Sequence, residues 1–105
     1  MAWILLTISG GLEVVWASAL KASDGFSKPF YSVIVAIAAF ASFWLLAYAM
    51  KSLPLGTTYP VWVGIGAVGT FIVGVTMFGE TASPLRLASV ALIVIGIAGL
   101  KLAEG

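Results

Sequence analysis

The chain has 105 residues, of which 62% are hydrophobic and 9% are charged, and its formal net charge is +1. A soluble domain has about a quarter charged residues, so this composition predicts a membrane protein. Cysteine and histidine are absent from the sequence, which excludes disulfides and thiolate or imidazole metal sites. Without a basic cluster, nucleic acid is not an expected partner. No nucleophile–base pair, metal cluster or cofactor motif indicates an enzyme.

Four apolar runs follow one another along the chain, separated by short polar breaks. We predict helices at about residues 2–20, 30–50, 57–78 and 85–103. Three runs reach the ~20 residues that cross a ~30 Å hydrocarbon core, and the fourth is tighter because charged residues stand near both of its ends. A strand edge in lipid would leave backbone groups unpaired. The predicted fold is therefore an all-α membrane protein with one transmembrane domain of four helices.

Glu13 is the one acid inside the first apolar run. At ~1.5 Å per residue it lies about 16 Å along the predicted helix, near the bilayer midplane. An acid at this depth costs about 2.5 to 3.5 kcal/mol on insertion scales. It is either a protonated structural carboxyl or an ion site. Burial favours the neutral form and a bound cation favours the charged form, so protons and cations would compete for it, as an antiporter requires.

Three residues lie within one helical turn of this acid on the same face. Trp16 is three positions after Glu13, and its indole N–H is a donor that suits a carboxylate. Ser9 and Gly10 are one turn before it, and we predict that they line a pocket around the acid. A role in packing or in an interfacial aromatic belt is the alternative for the tryptophan.

Further candidate donors lie in the second and third predicted helices. Ser42 is a hydroxyl in the run "AAFASFWLLA", and Tyr59 and Trp62 are one turn apart. The alternative for the serine is a bond to its own helix backbone, and the alternative for the aromatic residues is packing. Together with an acid in the first helix, these side chains would supply donors around one carboxylate.

Small residues mark two other features. Gly64, Gly66 and Gly69 lie close together in "VGIGAVG", and each weakens a helix by about 1 kcal/mol relative to alanine. We interpret Gly64 and Gly66 as a conformational hinge, with tight helix packing as the alternative. In the fourth run, Ser89 and Gly96 are seven residues apart on one face, where small residues allow another helix to approach closely.

The positions of the positively charged residues do not predict in which orientation the chain inserts into the membrane. With a cytoplasmic N-terminus, Lys51 and Lys101 would be inside and Lys21, Lys28 and Arg86 outside, and the N-terminal amine roughly balances the two sides. One interpretation is an orientation that insertion kinetics set. The other is dual topology, in which copies insert both ways and pair head to tail. Four short helices can scarcely enclose a polar pathway alone, which also favours pairing.

The motifs "LEVVWASALKASDGF", "ASFWLLAYAMKSLPLGTTYPVW" and "GIGAVGT" give the whole chain its resemblance to the small multidrug resistance family of bacterial transporters. The resemblance implies an antiparallel dimer in the bacterial inner membrane that exchanges protons for cations. Glu13 matches the family's embedded glutamate, and Ser42, Tyr59 and Trp62 match its binding positions. Residues 89–96 match its small-residue dimer motif.

The segments "EVVWA" at 13–17 and "GLK" at 99–101 are similar to those of the guanidinium-exporting subtype. The implied function is proton-coupled export of guanidinium and singly substituted guanidinium compounds by a homodimer, or by a pair with a paralogous subunit. The alternatives are a broader exporter of quaternary ammonium and other hydrophobic cations, and a non-transporting membrane scaffold or accessory subunit. Pro60 departs from the alanine usual after Tyr59, and proline restricts the residue before it.

Overall fold

The computed structural model describes residues 1–104 and contains four long α-helices. Each of them is long and apolar enough to cross a membrane. This confirms the predicted all-helical fold with four membrane-spanning segments. The helices are α1 (Ala2–Ala22), α2 (Pro29–Ala49), α3 (Leu55–Met77) and α4 (Pro84–Ala103).

Proline residues mark the beginnings of three helices. Pro29 and Pro84 are the first residues of α2 and α4, where the missing N–H has no intrahelical partner to lose. Pro54 is extended and precedes α3, which begins at Leu55, two residues before the position expected from the apolar run. The polar breaks of the sequence are therefore short connections between helices.

The helices form a slab in which α1 packs against both α2 and α3, while α4 packs along α3. The slab measures 42 × 34 × 16 Å. The slab is therefore less than half as thick as it is wide or long. None of the described residues of α4 is buried. A single chain of this shape does not enclose a pathway across a bilayer.

The best-packed part of the slab lies near the beginning of α1 and the end of α2. Leu6, Leu46, Ala49, Val61 and Trp62 form one buried cluster there. At the opposite end, α1 and α3 leave a cavity of about 420 Å³ between them. The buried cluster therefore holds three helices together at one end, while the other end is open.

Candidate functional site

Glu13 lies in the middle of α1 and faces α3 at Gly66. A Cβ atom at Gly66 would come within 2.8 Å of Glu13 Cγ and would overlap the carboxyl group itself. The glycine therefore provides the space in which the acid sits. Within residues 1–104, Glu13 Oε1 is buried and accepts no hydrogen bond. A buried acceptor without a partner is costly, which makes this oxygen a suitable ligand for a cation or a proton.

A hydrogen-bonded chain joins the three packed helices, and it meets α1 one helical turn before the acid. The Trp62 indole Nε1 donates to Ser42 Oγ at 3.0 Å, and Ser42 Oγ donates to the Ser9 carbonyl at 2.7 Å. All three residues are buried. The structure thus brings together a residue from each of α1, α2 and α3 that the sequence had singled out. Ser9 contributes its backbone carbonyl, and its own hydroxyl donates to Leu6 O at 2.8 Å.

The predicted donors do not bond the Glu13 carboxylate directly within this chain. Ser42 donates to the backbone of α1, and Trp16 Nε1 is buried without a partner among the described residues. Trp16 instead packs edge-on against Phe43 of α2, with ring centroids 6.1 Å apart. The single turn between Glu13 and Trp16 places them on one face of α1, but the indole leans towards α2. The role of Trp16 and Ser42 in orienting the acid stays a prediction.

Aromatic rings form a continuous wall from α1 to α3. After the contact between Trp16 and Phe43, Phe43 packs against Trp62 at 5.7 Å, and Trp62 packs against Tyr59 at 5.7 Å. Sequence reasoning missed Phe43, which links the two tryptophans. Its position directly after Ser42 was the available signal, since adjacent residues of a helix lie about 100° apart and can both border one pocket.

Tyr59 and Pro60 lie inside α3. The helix begins at Leu55, so Pro60 does not set its start, although proline supplies no N–H for the helical bond to the residue four positions earlier. Tyr59 is half exposed, and its ring rests on Trp62. The role of Tyr59 in the site stays a prediction.

Gly10 and Gly64 allow close approach of helices. A Cβ atom at Gly10 would lie 2.6 Å from Ile65 Cγ2, and one at Gly64 would lie 2.9 Å from Ile97 Cδ1. The first contact joins α1 to α3, and the second joins α3 to α4. α3 itself is helical throughout Leu55–Met77, so Gly64 and Gly66 act as packing positions in this conformation. The hinge stays a prediction.

Ser89 and Gly96 lie on the surface of α4. Ser89 Oγ donates to Leu85 O of its own helix at 2.8 Å, and a Cβ atom at Gly96 would meet none of the described residues within 4 Å. Both residues are exposed. The face that the sequence predicted for a second chain is thus uncovered in the slab, and its contact with a partner stays a prediction.

The fold and the site together define a class of protein: a small four-helix membrane transporter with one carboxyl group embedded between its helices. Residues 1–93 match the model of the Small Multidrug Resistance protein family, and the chain belongs to that family. It is a multi-pass protein of the bacterial inner membrane, as predicted.

Relatives from three enteric bacteria are similar over nearly their whole length. A protein of Escherichia coli (strain K12) named "Guanidinium exporter" is 61% identical over 102 residues, covering 97% of each chain. One of the same name from Yersinia pseudotuberculosis serotype I is 60% identical over 104 residues, covering 99% of this chain and all of the relative. Another from Salmonella typhimurium is 56% identical over 102 residues.

Proposed function

We propose that the protein exports guanidinium and singly substituted guanidinium compounds from the cytoplasm in exchange for protons. The observation that carries this proposal is the Glu13 carboxyl, which lies in mid-helix with a buried oxygen that no group of residues 1–104 satisfies. A guanidinium ion is planar and presents N–H donors in a fixed fork that matches a carboxylate. The name shared by the relatives supports the same substrate.

The exchange follows from the two states of one acid. The ionised carboxylate attracts the cation, and the protonated carboxyl neither carries the charge nor offers both oxygens as acceptors. A bound cation therefore excludes the proton and a bound proton excludes the cation. Trp16 lies one helical turn from the acid, and its indole would offer a flat apolar surface on which a planar cation can stack. Ser42 fixes the Trp62 indole, and Tyr59 responds to whether the site is occupied.

Transport assays in reconstituted liposomes test this function. With an outwardly directed substrate gradient, we expect guanidinium and methylguanidinium to drive proton movement in the opposite direction. A tetra-alkylammonium ion, which has a larger diameter, should drive little proton movement. Equal proton movement with both classes would favour the broader cation exporter. If neither the guanidinium compounds nor the tetra-alkylammonium ion drives proton movement, the result would favour a non-transporting membrane scaffold or accessory subunit.

We infer further that the working unit is an antiparallel homodimer with dual topology. The slab is 16 Å thick, and the Ser89–Gly96 face of α4 is exposed along its length. Two copies in opposite orientations would enclose the Glu13 side chains between them. Reporters fused to the C-terminus should show both orientations in cells. A single orientation together with full activity would refute dual topology.

A further inference from the structure

A cavity of about 420 Å³ begins one helical turn beyond the embedded acid. Ala17 and Thr70 line it, and each lies four residues, or about 6 Å, after Glu13 and Gly66 respectively. The cavity therefore continues along the same two helix faces that hold the carboxyl. Its far end is bordered by Glu80 and Arg86, in the connection after α3 and in the first turn of α4.

The guanidinium group of Arg86 lies in surroundings that would suit any guanidinium ion. Its Nη1 donates to the Thr81 carbonyl at 2.7 Å, its Nη2 lies 3.8 Å from Glu80 Oε1, and its Cζ lies 5.5 Å from the centre of the Phe71 ring. A carboxylate, a carbonyl and an aromatic face are the groups that bind planar guanidinium in proteins. The chain thus carries a guanidinium group of its own at the mouth of the cavity.

Helix stability does not explain this pair. Glu80 follows the C-terminus of α3, where its backbone N–H donates to Gly74 O at 3.0 Å, and a negative charge at a helix C-terminus is unfavourable. Arg86 carries a positive charge in the first turn of α4, which is also the unfavourable end. The two side chains are 41% and 47% exposed, and an exposed ion pair contributes at most about 1 kcal/mol. The ion pair with Glu80 therefore holds Arg86 only weakly.

We propose that Glu80, Phe71 and the Thr81 carbonyl form a second guanidinium-binding site, which Arg86 occupies in the structure and from which a substrate cation displaces it. The proposal rests on the proposed function, because it requires a guanidinium substrate. Displacement conserves charge, since one guanidinium group replaces another beside the same carboxylate. Lys21 also lines the cavity and opposes a free cation. The site should therefore hold substrate only briefly.

Between the two acids the cavity offers one more acceptor. Ser18 lines the cavity, and its hydroxyl oxygen is buried without a hydrogen-bond partner among residues 1–104. A guanidinium ion that leaves Glu80 would meet this hydroxyl before it reaches Glu13, which lies five residues earlier on α1. The cavity itself thus holds a carboxylate at its mouth and a hydroxyl further along α1, on the side towards Glu13.

The first experiment measures guanidinium transport in liposomes by Glu80→Gln. We expect the KM for guanidinium to rise about fivefold, which corresponds to loss of one exposed charge pair, while kcat stays close to that of the unmodified protein. Glu104→Gln is the matched control. Glu104 is an exposed acid at the end of α4, where its carboxylate accepts a hydrogen bond from the Thr57 hydroxyl. It does not line the cavity. The control substitution should leave KM unchanged.

The second experiment isolates the new site by removing the embedded acid. Protein carrying Glu13→Gln is labelled with ¹⁵N and titrated with guanidinium chloride against sodium chloride of equal ionic strength. Arg86→Ala is introduced as a second substitution, because it vacates the site. In this double variant we expect guanidinium to cause saturable shifts of the Gly79, Glu80 and Thr81 amide resonances. Adding Glu80→Gln as a third change should abolish the shifts.

The outcomes separate this inference from the proposed function. Failure of the unmodified protein to transport guanidinium would refute both. Normal transport, an unchanged KM in Glu80→Gln and no saturable shift in the Arg86→Ala titration would overturn the second site alone. Each variant is first checked for helix content and for elution with the unmodified protein, so that a folding defect is not taken as a loss of binding.

Discussion

Replacement of Gly66 by alanine should move the embedded carboxyl without removing it. The added methyl group would lie 2.8 Å from Glu13 Cγ and closer still to the carboxyl atoms, whereas ordinary carbon contacts lie at about 3.5 to 4.0 Å. The Glu13 side chain must therefore move by about 1 Å, or α1 and α3 must separate. Both responses disturb the geometry in which the acid meets a cation.

The size of the effect follows from the cost of overpacking, which is typically about 1 to 3 kcal/mol. If the acid moves, this energy appears as lost substrate binding, which corresponds to roughly a 5- to 150-fold rise in Kd. Isothermal titration calorimetry of the detergent-solubilised protein with guanidinium measures this change in Kd. If the helices separate instead, the melting temperature falls as well.

Gly56→Ala is the matched control for this prediction. Gly56 lies in the same helix, and a Cβ atom there would meet none of the described residues within 4 Å. We expect its Kd for guanidinium to equal that of the unmodified protein. A folded Gly66→Ala variant that also binds with unchanged affinity would show that the close contact with Glu13 has no part in substrate binding.

Three further predictions concern the acid and the residues around it. Glu13→Gln, which cannot ionise, should abolish substrate-driven proton release in detergent, and release equal to that of the unmodified protein would place the coupling elsewhere. Trp16→Gly should weaken guanidinium transport and admit larger cations, so unchanged selectivity in liposomes would remove this residue from the site. Ser42→Ala leaves the buried Trp62 N–H without its acceptor and should cost about 1 to 3 kcal/mol of stability, measured by chemical unfolding. Ser32→Ala in the same helix removes only a bond to Lys28 O and should cost little, and equal losses in the two variants would refute the assigned role of the buried bond.

The sequence by itself determined the class of fold and the place of the acid. Apolar runs of about 20 residues can only be helices in lipid, because the bilayer satisfies no backbone groups. The predicted starts at about residues 30 and 85 each lie one residue after a proline, and the structure begins the two helices at Pro29 and Pro84, for a local steric reason that needs no tertiary contact. Glu13 was identifiable for the same kind of reason, since a carboxyl in hydrocarbon is costly wherever its neighbours lie.

Tertiary structure alone decided which residues meet the acid. In lipid, hydrophobic periodicity does not orient a helix, because an apolar face is at no disadvantage against lipid chains. The rotation of α3 about its axis, and hence the choice of Gly66 as the neighbour of Glu13, comes from the packing of α1 against α3 at Gly10 and Ile65. The packing of α2 against α1 turned Ser42 towards the backbone of α1 instead of the carboxyl.

The open end of the slab was likewise hidden from the sequence. Glu80 lies in the polar break after α3 and Arg86 lies in the first turn of α4, six residues later, and this spacing predicts no contact. Their meeting depends on the chain reversal after α3, where Gly79 adopts a φ of +68° that glycine enters without the steric cost other residues bear. That reversal brings a carboxylate and a guanidinium group together at the mouth of the cavity, because it returns α4 along α3.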